Sequence, residues 1–382
     1  MGCFLKEHNG AQAIVPSTTR GKGQGGPNLR QTLKTMKIVL LLSSLLPVCL
    51  SHGYDPFSWL FRRHWQEQYY GALQADTTGG PCPEECDCPP TYPVAMYCDG
   101  RGLTAVPFIP SRIKFLYLQN NAITSVPESA FVNATDLVWL LMHYNQLTSD
   151  GIDEKVFLRL KGLERLYLHH NNLTSIPSNL PRTLRDLRIN HNTIEKISPA
   201  DLDGMDNLTI LYLHNNAVKD LGSSLKSLKS LALLDISGNK LTNVPDVLPA
   251  SLHQLYLEYN SIDSLPVGFL GGLSHLQYVR MSHNQLSDKG IPSNTFNVSG
   301  LVELDLSFNK LERIPSVSST LQHLYLQANQ IKEFTLGSFC SVVDVVNFSK
   351  LQTLRLDGNE ISLQDIPVET SVCLRQAFSI QI

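Results

Sequence analysis

The sequence predicts an α/β repeat protein: a curved solenoid with a parallel β-sheet on its concave face and disulfide-bonded caps at its ends. Three observations carry that expectation. Eleven successive segments fit L-x-x-L-x-L-x-x-N-x-L, with Ile, Val or Met accepted for Leu. A C-x3-C-x-C-x9-C cluster (Cys82, Cys86, Cys88, Cys98) stands just before the first segment, and Cys340 and Cys373 bracket the last.

The segments begin with IKFLYLQNNAI (113–123), LVWLLMHYNQL (137–147), LERLYLHHNNL (163–173) and LRDLRINHNTI (184–194). They continue through LTILYLHNNAV (208–218), LALLDISGNKL (231–241), LHQLYLEYNSI (252–262) and LQYVRMSHNQL (276–286). LVELDLSFNKL (301–311), LQHLYLQANQI (321–331) and LQTLRLDGNEI (351–361) complete the series. This is the leucine-rich repeat, in which x-L-x-L is a short strand with Leu inward and the x residues facing solvent. The Asn of each unit falls where the chain leaves the strand, and its amide can satisfy backbone groups buried at that turn. One unit cannot bury its own apolar side, so stability has to come from stacking.

Steps between successive ladder Asn run 24, 26, 21, 24, 23, 21, 24, 25, 20 and 30, so a short step recurs every third repeat. The short ones carry proline on the return path, at 176–184, 244–252 and 314–321, which favours an extended back strand. The longer ones place Phe131, Phe157, Leu202, Leu225, Leu270 or Phe296 shortly before the next repeat and leave room for a helical turn.

Upstream of the repeats, MKIVLLLSSLLPVCLSHG from Met36 reads as a secretory signal peptide with a cut near Ser51. Its apolar core is too short to span a bilayer, and no later stretch is long and apolar enough to anchor the chain. The division expected is a basic upstream extension (1–35), the signal peptide (36–51) and a short tail (52–81). A cysteine-rich cap (82–112), repeats one to ten (113–338) and an extended last repeat with its cap (339–382) follow. Formal charge is −3 over 382 residues and near −8 once 1–51 is removed, which argues against nucleic acid or another polyanion as main partner. Removal also leaves six cysteines, and secretion favours disulfides over a zinc site. The spacing of the first four permits three pairings.

CPEECDCPPTYPVAMYCD (82–99), ELDLSFNKLERIP (303–315) and FCSVVDVVNFSKLQTLRLDGNEI (339–361) resemble class II small leucine-rich proteoglycans, as do the short-long-long alternation and the long last repeat. The resemblance covers about 82–382. It implies disulfides Cys82–Cys88, Cys86–Cys98 and Cys340–Cys373, keratan sulfate on several sequons, and a secreted extracellular-matrix protein that binds fibrillar collagen (type I or II) and controls fibril diameter. Capture of transforming growth factor beta is the alternative role it implies; a dimer is left open. Two features depart from the members most similar to it. Those carry a long tail dense in Tyr and acids, whereas 54–80 offers only Tyr54, Tyr69 and Tyr70 as sulfation candidates. In the last repeat the family's Asn-Glu-Ile-Lys ending becomes Asn359-Glu360-Ile361-Ser362, keeping the acid of a collagen contact and losing the cation.

Five N-x-S/T triplets, at Asn133, Asn172, Asn207, Asn297 and Asn347, fall on turns or strand flanks. The middle x of each strand gives a concave column: Tyr117, Leu141, Tyr167, Arg188, Tyr212, Asp235, Tyr256, Arg280, Asp305, Tyr325 and Arg355. Strands favour Tyr in any case. As a column, though, five Tyr and three Arg have the composition of a recognition surface for a long ligand. In the next column His143, His169 and His214 could share a zinc ion, although a solvated histidine patch is the simpler reading. No cofactor is implied and no enzyme is expected: the sequence has no Gly-rich phosphate loop and no H-E-x-x-H, and Asp235, Glu303 and Asp305 would lie on an open face where pKa tuning is hard.

Overall fold

A computed structural model describes residues 80–344 and 346–382. The upstream extension, the signal peptide and tail residues 52–79, with Tyr54, Tyr69 and Tyr70, lie outside the described residues.

The repeats fold into β2 (Phe115–Tyr117), β3 (Trp139–Leu141), β4 (Arg165–Tyr167), β5 (Asp186–Arg188), β6 (Ile210–Tyr212) and β7 (Leu233–Asp235). β8 (Gln254–Tyr256), β9 (Tyr278–Arg280), β10 (Glu303–Asp305), β11 (His323–Tyr325) and β12 (Thr353–Arg355) continue them. Two strands not read from the sequence, β1 (Ala95–Tyr97) and β13 (Ser379–Gln381), extend the sheet at its ends, giving 13 strands paired in chain order. Every pair is parallel and in register, so Leu116, Leu140, Leu166 and Leu187 stack as neighbours and are fully buried. Each such Leu contributes about 1.5–3 kcal/mol.

β1 is a repeat in disguise. Met96 and Cys98 take the two inward Leu places and are fully buried, while Arg101 stands where the ladder Asn would be. The cap therefore carries the sheet's first strand rather than ending before it. Cys86–Cys98 and Cys82–Cys88 are bonded there, with Cα atoms 4.5 and 6.0 Å apart. At the other end Cys340 bonds Cys373 at a Cα separation of 6.1 Å, fastening the one-turn helix Thr370–Cys373 ahead of β13.

The return paths follow repeat length. 3-10 turns occur at Glu128–Phe131, Val156–Arg159, Pro199–Leu202, Asp288–Gly290 and Leu336–Ser338, all within long steps. None falls in the proline-bearing 176–184, 244–252 or 314–321. Phe131, Phe157, Leu202, Leu225, Leu270 and Phe296 are all buried beneath these loops.

The Asn ladder closes the side of the stack. In a typical step Asn284 Nδ2 donates to Leu257 O (2.9 Å) and Met281 O (3.1 Å), and its Oδ1 accepts from Ile262 N (3.0 Å). One side chain thus joins two repeats, satisfying backbone groups that no strand reaches.

Candidate functional site: the concave sheet face

Strand register builds the face. The last residues of the strands align one to one: Tyr97, Tyr117, Leu141, Tyr167, Arg188, Tyr212, Asp235, Tyr256, Arg280, Asp305, Tyr325, Arg355 and Gln381. At a strand spacing of about 4.8 Å the column runs roughly 58 Å. Glu360 is not in it. That residue lies five positions beyond Arg355, after the turn made by Asn359, and is exposed. The strand has ended by then, so its side chain belongs to the flank.

The column is wired rather than loose. Arg188 donates from Nε and Nη2 to Asp186 (both 3.1 Å), and its guanidinium lies 4.4 Å from the Tyr167 ring centre and 5.2 Å from that of Tyr212. Tyr167 Oη donates to the same carboxylate at 2.7 Å. Burial alone would lower the pKa of Arg188, but Asp186 more than offsets it, so the guanidinium stays charged. Further along, Arg280 donates to Glu303 (2.7 Å) and sits 5.1 Å from the Tyr256 ring, and Arg355 grips Asp357 through two bonds of 3.0 and 2.8 Å. Bidentate and stacked contacts of this kind fix the planes of the arginines.

The carboxylates differ from the sequence expectation of untuned acids on an open face. Burial pushes the Glu258 carboxyl up to about 7, and Asp235, Asp305 and Glu303 push the same way against Arg280. Burial also raises Asp305 despite hydrogen bonds from Ser307, whereas at Asp235 the bonds from His214 and Ser237 outweigh burial and hold its pKa down. Neighbouring columns are close enough to screen each acid from water, which a residue-by-residue reading of an open sheet cannot reveal.

The histidines do gather, in a form unsuited to metal. His143 and His169 stack face to face with ring centres 4.2 Å apart and planes 13° apart. Nitrogen lone pairs lie in the ring planes, so stacked rings aim them side by side instead of at one point. His214 lies 2.9 Å from Asp235. Among the described residues no group of three His, Cys, Asp or Glu could hold a metal ion. Burial, followed by the charge of Arg188, lowers His143 to about 4; burial and His143 take His169 lower still, so both rings are neutral at physiological pH.

A second column of rings lies at the turns that follow the strands. The residue before each ladder Asn has positive φ, including Tyr144, His170, His191, Tyr259, His283 and Phe308 at 52–54°. Bulky residues there oppose the usual preference for Gly or Asn. The sheet overrides it: Tyr144, His170, Tyr259 and Phe308 each donate their amide to the next repeat. Their rings stack as Tyr144–His170–His191 (4.2 and 4.0 Å) and Tyr259–His283–Phe308 (both 4.1 Å). Asn215 and Gly238 (φ 60°) separate the two stacks, and a Cβ on Gly238 would strike the Asn215 side chain.

All five sequon asparagines are exposed and lie outside the strands. Among the described residues no helix is long and apolar enough to cross a membrane.

The leucine rich repeat family model matches residues 111–173, 182–241 and 250–311, and the leucine rich repeat N-terminal domain matches 81–110. Among solved structures, a chain of the octameric complex of Latrophilin 3, Unc5D and FLRT2 (LRR) superposes with a TM-score of 0.61 at 26% identity, covering 79% of this chain and 85% of that one. Fibromodulin from Bos taurus is 56% identical over 301 residues, 79% of this chain and 80% of the relative; that from Homo sapiens is 52% identical over the same shares. Lumican from Coturnix japonica is 45% identical over 87% of this chain and 92% of its own. Identity at this level across most of both partners means that the chain belongs to the fibromodulin and lumican family, the class II small leucine-rich proteoglycans.

Proposed function

We propose that the protein is secreted into the extracellular matrix, where it binds fibrillar collagen along the concave column and limits the lateral growth of fibrils. The observation that carries this reading is the in-register column across 13 parallel strands, nine of whose thirteen residues are Tyr or Arg, a surface about 58 Å long that suits a rod better than a small molecule. Aromatic and arginine side chains held by neighbours lose little entropy on binding. The exposed sequons point the same way, since sugar attached outside the strands leaves the sheet face clear. Binding rather than catalysis is the role that such an open, extended face supports.

The test is turbidity of assembling type I collagen with the intact secreted protein. Wild type should slow assembly or thin the fibrils, and Tyr256→Ala combined with Tyr325→Ala should blunt that effect while leaving the circular dichroism spectrum unchanged. A folded double variant as potent as wild type would remove the column from the mechanism. Saturating wild type that leaves fibrils unaffected would point to the growth-factor trap instead.

A further inference from the structure

A groove of about 340 Å³ lies off the sheet, between the back of the N-terminal cap and the return path of the first repeat. Its walls include Val106, Pro107, Phe108, Ala130 and Val132, and Ser125 and Ser129 also line it. Phe108 is 51% exposed and Val132 45%, unusual for apolar side chains that converge on one concavity. Asn133 itself lines the groove, and it opens the sequon Asn133-Ala134-Thr135. A smaller groove of about 170 Å³, bounded by Ser149, Ile152, Glu154 and Ser175 to Ser178, contains no sequon asparagine.

We propose that the innermost N-acetylglucosamine residues of an N-linked glycan on Asn133 occupy this groove, packing against Phe108 and Val132, so that this sugar is a structural part of the cap. A hexosamine ring presents a C–H face and a rim of hydroxyl and acetamide groups. That matches a lining of Phe, Val and Pro together with two serines, because the electron-rich ring face attracts polarised C–H bonds and serine hydroxyls can exchange hydrogen bonds with the rim. The volume lies within the range of small-ligand sites. The tether decides the occupant: a sugar bonded to Asn133 Nδ2 is held beside the groove permanently, at an effective concentration no free ligand reaches. Backbone geometry places the attachment point. Ala134 is buried and its amide donates to Phe131 O at 3.0 Å, closing a turn in which Asn133 and Val132 are both exposed.

The inference shares only the secretory route with the collagen reading. Glycan release reports on the back of the cap and fibril turbidity on the sheet face, so either can fail alone. The test uses the intact protein secreted from mammalian cells, treated under native conditions with a glycan-releasing amidase and followed by glycopeptide mass spectrometry. Release from Asn133 should be about tenfold slower than from Asn172 and Asn297, equivalent to about 1.4 kcal/mol of groove contact. The difference should vanish after denaturation and shrink in Phe108→Ala. Should that variant not be secreted, Val132→Ser serves the same purpose, and the wild-type rates alone still decide. An unmodified Asn133, or native release as fast as at the other two sites, would overturn the proposal.

Discussion

Replacing Asn309 by Ala removes four side-chain hydrogen bonds and leaves one buried amide, that of Leu286, without a partner. Its Nδ2 donates to Met281 O and Leu306 O, both at 3.0 Å, and to Ser307 O at 3.1 Å, and its Oδ1 accepts from Leu286 N at 3.0 Å. Asn309 is 8% exposed, so water does not reach these groups to compensate. Met281 O and Leu306 O still accept from Asn284 (3.1 Å) and Asn329 (3.0 Å), so only the Leu286 amide is left unsatisfied. That costs roughly 1–3 kcal/mol, and with the weaker loss at the carbonyls the total is about 2–4 kcal/mol. The isosteric Asn309→Asp is the sharper variant, because it keeps the acceptor and turns a donor into an oxygen facing those carbonyls. It should destabilise at least as much as Ala at neutral pH despite its unchanged shape. Urea titration measures the total, and hydrogen exchange at the Leu286 amide, which should lose its protection first, locates it. An Ala variant within about 1 kcal/mol of wild type, or a tolerated Asp, would refute the view that the ladder works by satisfying buried backbone.

Glu258 should make the fold sensitive to pH. Its folded carboxyl sits near 7 against an ordinary 4.5, so the folded state favours the proton. Its contribution is therefore fully present below about 4.5 and is lost as pH rises through 7, by no more than about 3 kcal/mol. Glu258→Gln should accordingly raise the melting temperature at pH 8 and change it little at pH 4; an equal gain at both would contradict the assignment. At the far end, Cys373→Ser opens a bond spanning 33 residues and should lower stability by about 2–4 kcal/mol, loosening the last repeat, with an unchanged melting curve as the contrary result.

The repeat could be read from the sequence because its physics is local and periodic. Leu at fixed spacing must face inward, Asn at the turn must satisfy backbone, and register follows from repetition, so the column from Tyr117 to Arg355 was legible residue by residue. The cysteine pairs came from resemblance rather than spacing. Terminal repeats were illegible for a physical reason: at a solenoid's end one neighbour is missing, and different residues close the stack. In β1, Met96 and Cys98 stand in for Leu and Arg101 for Asn, while β13 keeps little beyond Ile380 and Ile382.

What only the tertiary structure decided concerns contacts between columns, where no sequence period applies. Stacking of His143 on His169, which spoils them for metal, depends on ring orientation. The rise of Glu258 toward neutrality comes first from burial and then from Asp235 on β7 and Glu303 and Asp305 on β10, strands on either side of its own repeat. Left-handed backbone at Tyr144, Tyr259 and Phe308 is imposed by the sheet against the preference of those residues. A sequence specifies which residues share a column; the distances between columns, and hence charge, tautomer and strain, exist only after the repeats have stacked.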